Sequence, residues 1–219
     1  MKSEIGNIFL IWRKGPGSRR IVVGKINKNS NDGARFQYLL DNLKEAEKQG
    51  FLPYTGFPDT SKIYTNNVLE ILSQRIVKTE RNDLSDYYSF WCVELSKKKD
   101  TYYMLAYTQG LLPTDNFEFL ADFNPKKGLK FISEIAGLTK TKIASNKLFK
   151  GDKLDFELEL DNIYDDNAVK LFKKGKYIGY VKLIHSRVFH RSKNSIIVTV
   201  HHLEEKDIIQ RAFIKVEII

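Results

Sequence analysis

A single cysteine, Cys92, stands among 219 residues. No disulfide can close within the chain, and no metal site can be built from several thiolates. Cys92 lies in an aromatic stretch and reads as a buried, inert thiol. No apolar run approaches the roughly 20 residues of a membrane span. The N-terminus lacks the basic flank, apolar stretch and small-residue cleavage site of a signal peptide. A cytoplasmic location away from membranes is the expectation. Catalytic signatures are missing too. There is no Gly-x4-Gly-Lys-Ser/Thr phosphate loop, and Gly15-x-Gly17 reads only as a turn. There is no Gly-x-Ser-x-Gly elbow and no His-Arg-Asp kinase triplet. The four histidines, His185, His190, His201 and His202, have no metal-ligand spacing. Neither a metal, nor a cofactor, nor an enzymatic activity is expected.

What is present is apolar residues and positive charge. The hydrophobic fraction of 42% and 14 phenylalanines suffice for real cores and exclude a disordered chain. The net charge is +9, and it is uneven. From residue 126 onward there are 19 Lys and Arg against 12 Asp and Glu, net +7, so the remainder is 36 − 19 = 17 against 27 − 12 = 15, net +2. The C-terminal part is the better candidate for an anionic partner such as nucleic acid.

The first half reads as strands and two helices. Ile5 to Arg13 and Arg20 to Ile26 flank the turn Gly15-Pro16-Gly17 and predict a hairpin. Asn29 to Gly33 is a polar loop. Phe36, Leu39, Leu40, Leu43 and Ala46 predict a helix over 34–49, stopped by Gly50. A second helix is expected from Asn67 to Lys78. Residues 80–86 read as a charged loop, and Tyr87 to Leu95 and Thr101 to Thr108 as paired strands around a turn at 96–100. A strand is expected over Phe117 to Phe123. Asn124-Pro125-Lys126-Lys127-Gly128 marks an exposed connection.

The second half is strand-dense. Leu154, Phe156, Leu158 and Leu160 alternate with Asp155, Glu157 and Glu159, a strand with an acidic face in solvent. Val169 and Leu171 alternate with Lys170. Lys173-Lys174-Gly175-Lys176 predicts a hairpin turn into Tyr177 to Val181. A short helix is expected within 184–190, and strands over Ile196 to Val200 and Ile209 to Ile219. Short strands with few helices imply a small closed or nearly closed barrel. The fold class expected is therefore α+β. A mixed domain with two helices spans 1–124 and a small β-barrel spans 126–219.

Between two of these strands lies Asp161-Asn162-Ile163-Tyr164-Asp165-Asp166-Asn167-Ala168. One reading is a turn whose Asp and Asn side chains hydrogen-bond their own backbone. The other is a binding loop. Tyr164 would stack on a nucleobase, Asp165 would accept a hydrogen bond from a terminal sugar hydroxyl, and nearby lysines would balance phosphates. In the first reading the Asn167 amide locks the loop to the next strand. His185 and His190, beside Arg187 and Arg191, would extend a basic patch.

The same residues resemble the HIRAN domain, in which a strand runs into an Asn-Pro-Tyr-Asp-x-Asn-Ala loop and a later strand ends in Ile-Gly-Tyr/His-Val/Leu. Asn162, Tyr164, Asp165, Asn167, Ala168, Gly179 and Tyr180 match, and Ile163 replaces the proline. The resemblance covers roughly 126–219 and implies a barrel that grips single-stranded DNA or free 3′ ends without enzymatic chemistry. It implies the base-stacking and end-reading roles for Tyr164 and Asp165, and the binding set expected is Tyr164, Asp165, Asn167, Tyr180, Lys182, Lys140, Lys174 and Lys176. The segment Gly137-Leu138-Thr139-Lys140 has no aromatic where the family often carries one for stacking, and Leu183 stands where the family is often basic.

The first half loosely resembles the N-terminal subdomain of HipA-type toxin kinases, through Val23-Gly24-Lys25-Ile26 and the strand-loop-helix run that follows. That resemblance implies an alternative, an antitoxin-like or regulatory partner of a HipA-type Ser/Thr kinase.

Overall fold

The turn at Gly15-Pro16-Gly17 joins β1 (Ile5–Trp12) to β2 (Ile21–Asn29), which pair antiparallel as expected. A computed structural model describes residues 3–29, 33–77 and 84–219. Part of the expected polar loop, 30–32, and residues 80–83 of the expected charged loop lie outside the described residues, as does Lys78. The chain divides into two compact units. One is Ile5–Asp122, and the other is Phe123–Ile219 together with Ser3 and Glu4.

The helix expected over 34–49 is two elements, β3 (Gly33–Tyr38) and α1 (Leu40–Lys48). Ala34, Phe36 and Tyr38 are buried in alternation, a period of two that pairs β3 with β2. Phe36 lies across Gly24 of β2. A Cβ at position 24 would sit 2.6 Å from the Phe36 ring, which stacks on Phe57 at 4.3 Å. The glycine of Val23-Gly24-Lys25-Ile26 thus has a packing reason of its own. The expected second helix is shorter than its pattern, α2 (Val68–Ser73).

The larger correction concerns 84–108, where the end of the expected charged loop (84–86) and the expected strands at 87–95 and 101–108 give way to helices. α3 spans Leu84–Phe90, a single 3-10 turn spans 95–97, and α4 spans Thr101–Thr108. Asp100 caps α4, its carboxylate accepting from the Tyr102 and Tyr103 amides, a contribution of about 1 kcal/mol. Every residue from Tyr102 to Thr108 is buried. A helix covered on all sides has no polar face, so its aromatic run cannot be told by periodicity from a buried strand. β4 (Phe117–Phe123) then completes a sheet in the order β3-β2-β1-β4. The buried Arg75 guanidinium braces the connection before it, donating to the Asp115 carboxylate at 2.5 and 3.1 Å and to the Gly110 carbonyl at 2.8 Å.

The second unit is a closed six-stranded barrel, β10-β5-β8-β7-β6-β9. Its elements in chain order are β5 (Lys130–Ala136), α5 (Leu138–Thr141), β6 (Lys153–Glu159), β7 (Ala168–Lys173), β8 (Lys176–Val181), α6 (Arg187–Arg191), β9 (Ile196–Glu205) and β10 (Ile209–Ile218). All neighbours run antiparallel. Phe131, Val169, Leu171, Ile214 and Val216 fill the interior. The β7–β8 turn is the expected one. Lys174 and Gly175 both have positive φ, 48° and 74°, the two-residue geometry that matches strand twist.

β5 is the strand that alternation does not reveal, because every residue from Phe131 to Ile135 is buried, Ser133 and Glu134 included. Glu134 accepts from Lys182 Nζ at 3.0 Å and from Arg211 Nε at 3.0 Å. Lys182, expected on a phosphate, is wholly buried. A buried ammonium needs a buried carboxylate beside it, so this lysine serves the fold. His185, expected in a basic patch, is also buried. Its Nδ1 lies 3.0 Å from Ser133 Oγ and its ring packs near Phe123 and Phe131. No described helix is long and apolar enough to cross a membrane.

Candidate nucleic-acid interface

β6 does not bury all of its apolar residues. Leu154 is buried, whereas Leu158 is 38% exposed and Leu160, just past the strand, 76%. The interior-facing pattern therefore fades as the chain leaves the barrel into the loop 160–167.

That loop is built by its own short polar side chains. Asn162 Oδ1 accepts from the amides of Tyr164 at 2.9 Å and Asp165 at 3.0 Å. Asp165 Oδ1 accepts from the Asn167 amide at 2.9 Å. These are two successive Asx turns, so the self-bonded reading of the loop is structurally true. Asn167 is tied to Asp165 through its main chain. The loop is also anchored below, because Asn162 Nδ2 donates to Glu159 Oε2 at 2.7 Å. This bracing leaves Tyr164 68% and Ile163 85% exposed.

Glu159 links the loop to the outer face of the barrel. Its other oxygen accepts from Lys170 Nζ at 2.7 Å. Lys170, first, and Asn162, second, hold its carboxyl below the ordinary glutamate value, and Tyr180 adds a hydrogen bond. Glu159 in turn raises the Lys170 ammonium. With Phe172, Tyr177 and Tyr180 these two side chains line an open groove of about 320 Å³. Tyr177 and Tyr180 meet edge-on at 5.6 Å, and Phe172 and Tyr177 at 6.1 Å. Burial raises the pKa of both tyrosines.

The residues expected to bind therefore fall into three places. Tyr164, Asp165 and Asn167 share the loop, and Tyr180 sits in the groove that Glu159 joins to it. Lys174 and Lys176 are exposed at the opposite end of β7 and β8. β7 runs six residues, about 20 Å at roughly 3.3 Å per residue. Lys140 is exposed on α5, whose Thr141 hydroxyl donates to the Ile178 carbonyl of β8 at 3.1 Å. Lys182 is inside. Sequence reasoning missed Glu159, Lys170, Phe172 and Tyr177 as site residues. The available signal was the outward alternation of Lys170 and Phe172 against inward Val169 and Leu171. Among the described residues no three His, Cys, Asp or Glu side chains gather as a metal site would require.

The groove takes its shape from backbone as well as side chains. Gly179 has φ +152°, and a Cβ there would meet the Ala136 carbonyl oxygen at 2.5 Å. Its absence lets β8 close on β5 through Ile135–Val181 and Ala136–Tyr180. The Ile178-Gly179-Tyr180-Val181 motif is thus partly a barrel-closing device, and it turns Tyr180 outward.

No family model matches the chain, and no curated protein matches it. Among solved structures it is similar to the HIRAN domain of human HLTF, at 15% identity over 40% of this chain and 74% of that one, with a TM-score of 0.32. It is also similar to a protein from Lactobacillus plantarum, at 17% identity over 42% of this chain and 95% of that one, again with a TM-score of 0.32. Likenesses at this level carry no argument about function.

Proposed function

We propose that the barrel unit binds single-stranded nucleic acid, gripping a free 3′ end without enzymatic chemistry. The observation that carries this reading is the Tyr164 ring, 68% exposed on a loop braced by two Asx turns. A large aromatic presented to solvent from a hydrogen-bonded loop is a stacking platform that any base can use, worth about 1–3 kcal/mol per base. Phe172, Tyr177 and Tyr180 supply a second aromatic surface in the groove, which answers the missing aromatic near Lys140.

The charge around Tyr164 supports an end rather than a passing strand. Asp161, Asp165 and Asp166 crowd the loop, and Asp161 and Asp166 are exposed. Phosphates on both sides of a bound base would be repelled by them. A terminal nucleotide puts no phosphate beyond its sugar, and its hydroxyl can donate to Asp165. One Asp165 oxygen accepts from the Asn167 amide, and a carboxylate has further acceptor sites.

The test is fluorescence anisotropy with short DNA strands ending in a free 3′ hydroxyl or a 3′ phosphate. The free end is expected to bind at least tenfold more tightly. Tyr164→Ala is expected to weaken binding by about tenfold or more, because one stacking surface is removed. Equal affinity for both ends would remove the end-reading claim. An unaffected Tyr164→Ala variant would remove the reading as a whole.

A further inference from the structure

We infer that the barrel carries a second single-strand contact at the end of β7–β8 remote from Tyr164, so that the nucleic acid lies along these strands with its 3′ end at the loop and its 5′ side at the hairpin tip. The inference rests on the reading above, and it adds a site that the loop motif does not contain.

Phe149 is the phenylalanine of the described residues left largely in solvent, 57% exposed. It is held there. The Phe149 amide donates to Asp152 Oδ2 at 2.9 Å, and Asp152 pairs through its other oxygen with Lys173, the last residue of β7. Lys173 foremost holds the Asp152 carboxyl below its ordinary value. One carboxylate therefore fixes the 149–152 turn against the tip of the β7–β8 hairpin. Lys147, Lys150, Lys174 and Lys176 around this turn are all exposed. An aromatic ring among unburied lysines is the pattern that takes a base and its flanking phosphates.

The two ends of β7 are thus opposite in character. Asp161, Asp165 and Asp166 share the Tyr164 loop, and four exposed lysines lie on the Phe149 turn and the β7–β8 turn that Asp152 and Lys173 join. A strand with a free 3′ hydroxyl and a 5′ phosphate matches that gradient in one direction only. The groove of Phe172, Tyr177 and Tyr180 lies between. A strand stacked as in duplex DNA advances about 3.4 Å per nucleotide, so the roughly 20 Å of β7 takes about six stacked nucleotides, and fewer when the bases splay.

The experiment is a titration of the full chain with oligothymidylates of two and of eight nucleotides, both with free 3′ hydroxyls, followed by amide chemical shifts and by anisotropy. The short strand is expected to shift residues 160–167 and Tyr180 alone. The long strand is expected also to shift 147–153 and 174–176. The variants F149A/K150A and K174A/K176A, checked for an unchanged thermal midpoint, are expected to weaken the eight-nucleotide strand about tenfold and leave the two-nucleotide strand unchanged. The slope of log affinity against log salt is expected to fall by about 0.7 for each phosphate that a variant no longer neutralises. If these variants bind the long strand like the parent while Tyr164→Ala still weakens it, the second site is refuted and end gripping stands. If Tyr164→Ala leaves both strands unaffected, end gripping fails and the track fails with it.

Discussion

Tyr164 is exposed because its neighbours commit their polar groups to the backbone. Asn162 accepts two amides and donates to Glu159, and Asp165 accepts a third amide. A loop satisfied in this way need not fold its aromatic residue inward to become rigid. The double use of Asp165 makes its charge separable from its turn. Asn can form the same Asx turn as Asp, so Asp165→Asn keeps the loop and removes the carboxylate. The expected outcome is unchanged thermal stability, within about 0.5 kcal/mol as for a surface substitution, with rejection of a 3′ phosphate lost. Anisotropy with the two strand ends measures the second effect. Retained rejection of the phosphate would show that Asp165 serves the turn alone.

At the scale of elements, barrel closure depends on the short pairing between β5 and β8. Gly179→Ala places a Cβ against the Ala136 carbonyl in a conformation that side chains rarely adopt, and is expected to cost about 2–5 kcal/mol through overpacking and backbone strain. Urea unfolding would measure it, and a loss under about 0.5 kcal/mol, the scale of an ordinary surface substitution, would contradict the closing role. Lys182→Met tests the buried pair. It leaves Glu134 without one of its two cations, and breaking a buried pair costs about 3–5 kcal/mol. Stability is expected to fall while the folded fraction binds nucleic acid as before. A selective loss of binding at full stability would return Lys182 to a phosphate-contacting role.

Elements differed in how plainly their sequences announced them. β6, β7 and β8 were legible because one face meets the core and the other meets solvent, which writes alternation into Leu154 to Val181. α4 was not, because nothing around it is solvent. β5 was obscured by Glu134, whose burial makes sense only once Lys182 and Arg211 are seen beside it. The loop 160–167 was legible in composition, but the groove was not. Its Glu159, Phe172 and Tyr177 come from three strands, and no spacing along the chain brings them together.

For the whole molecule, buried tyrosines tie stability to alkaline pH. Burial raises the pKa of Tyr38 and Tyr102 in the first unit and of Tyr177 and Tyr180 in the barrel. Tyr38 donates its hydroxyl to the Phe57 carbonyl at 2.7 Å and Tyr102 to the Gly6 carbonyl at 2.6 Å. A folded-state pKa above the unfolded one means that the unfolded chain loses its proton first. The stabilisation is complete below about pH 10, the ordinary tyrosine range, and is lost as pH rises above it. The thermal midpoint is expected to hold between about pH 8 and 9 and to fall steeply above about 10. Tyrosinate absorbance should rise together with unfolding, and smooth titration of all 11 tyrosines with the fold intact would oppose this.

Residue order alone established the strand-rich second half, the tight Lys174-Gly175 turn, the exposed loop around Tyr164, and the excess of positive charge beyond residue 126. Each follows from local chemistry, namely alternation, turn preference and composition. Three-dimensional packing settled the rest. It buried Lys182 and His185, made helices of 84–90 and 101–108, and gathered an aromatic groove from separate strands. Periodicity reports which face of an element is apolar. It does not report whether the other face meets water or a second layer of protein, nor which distant side chain neutralises a charge that folding has buried.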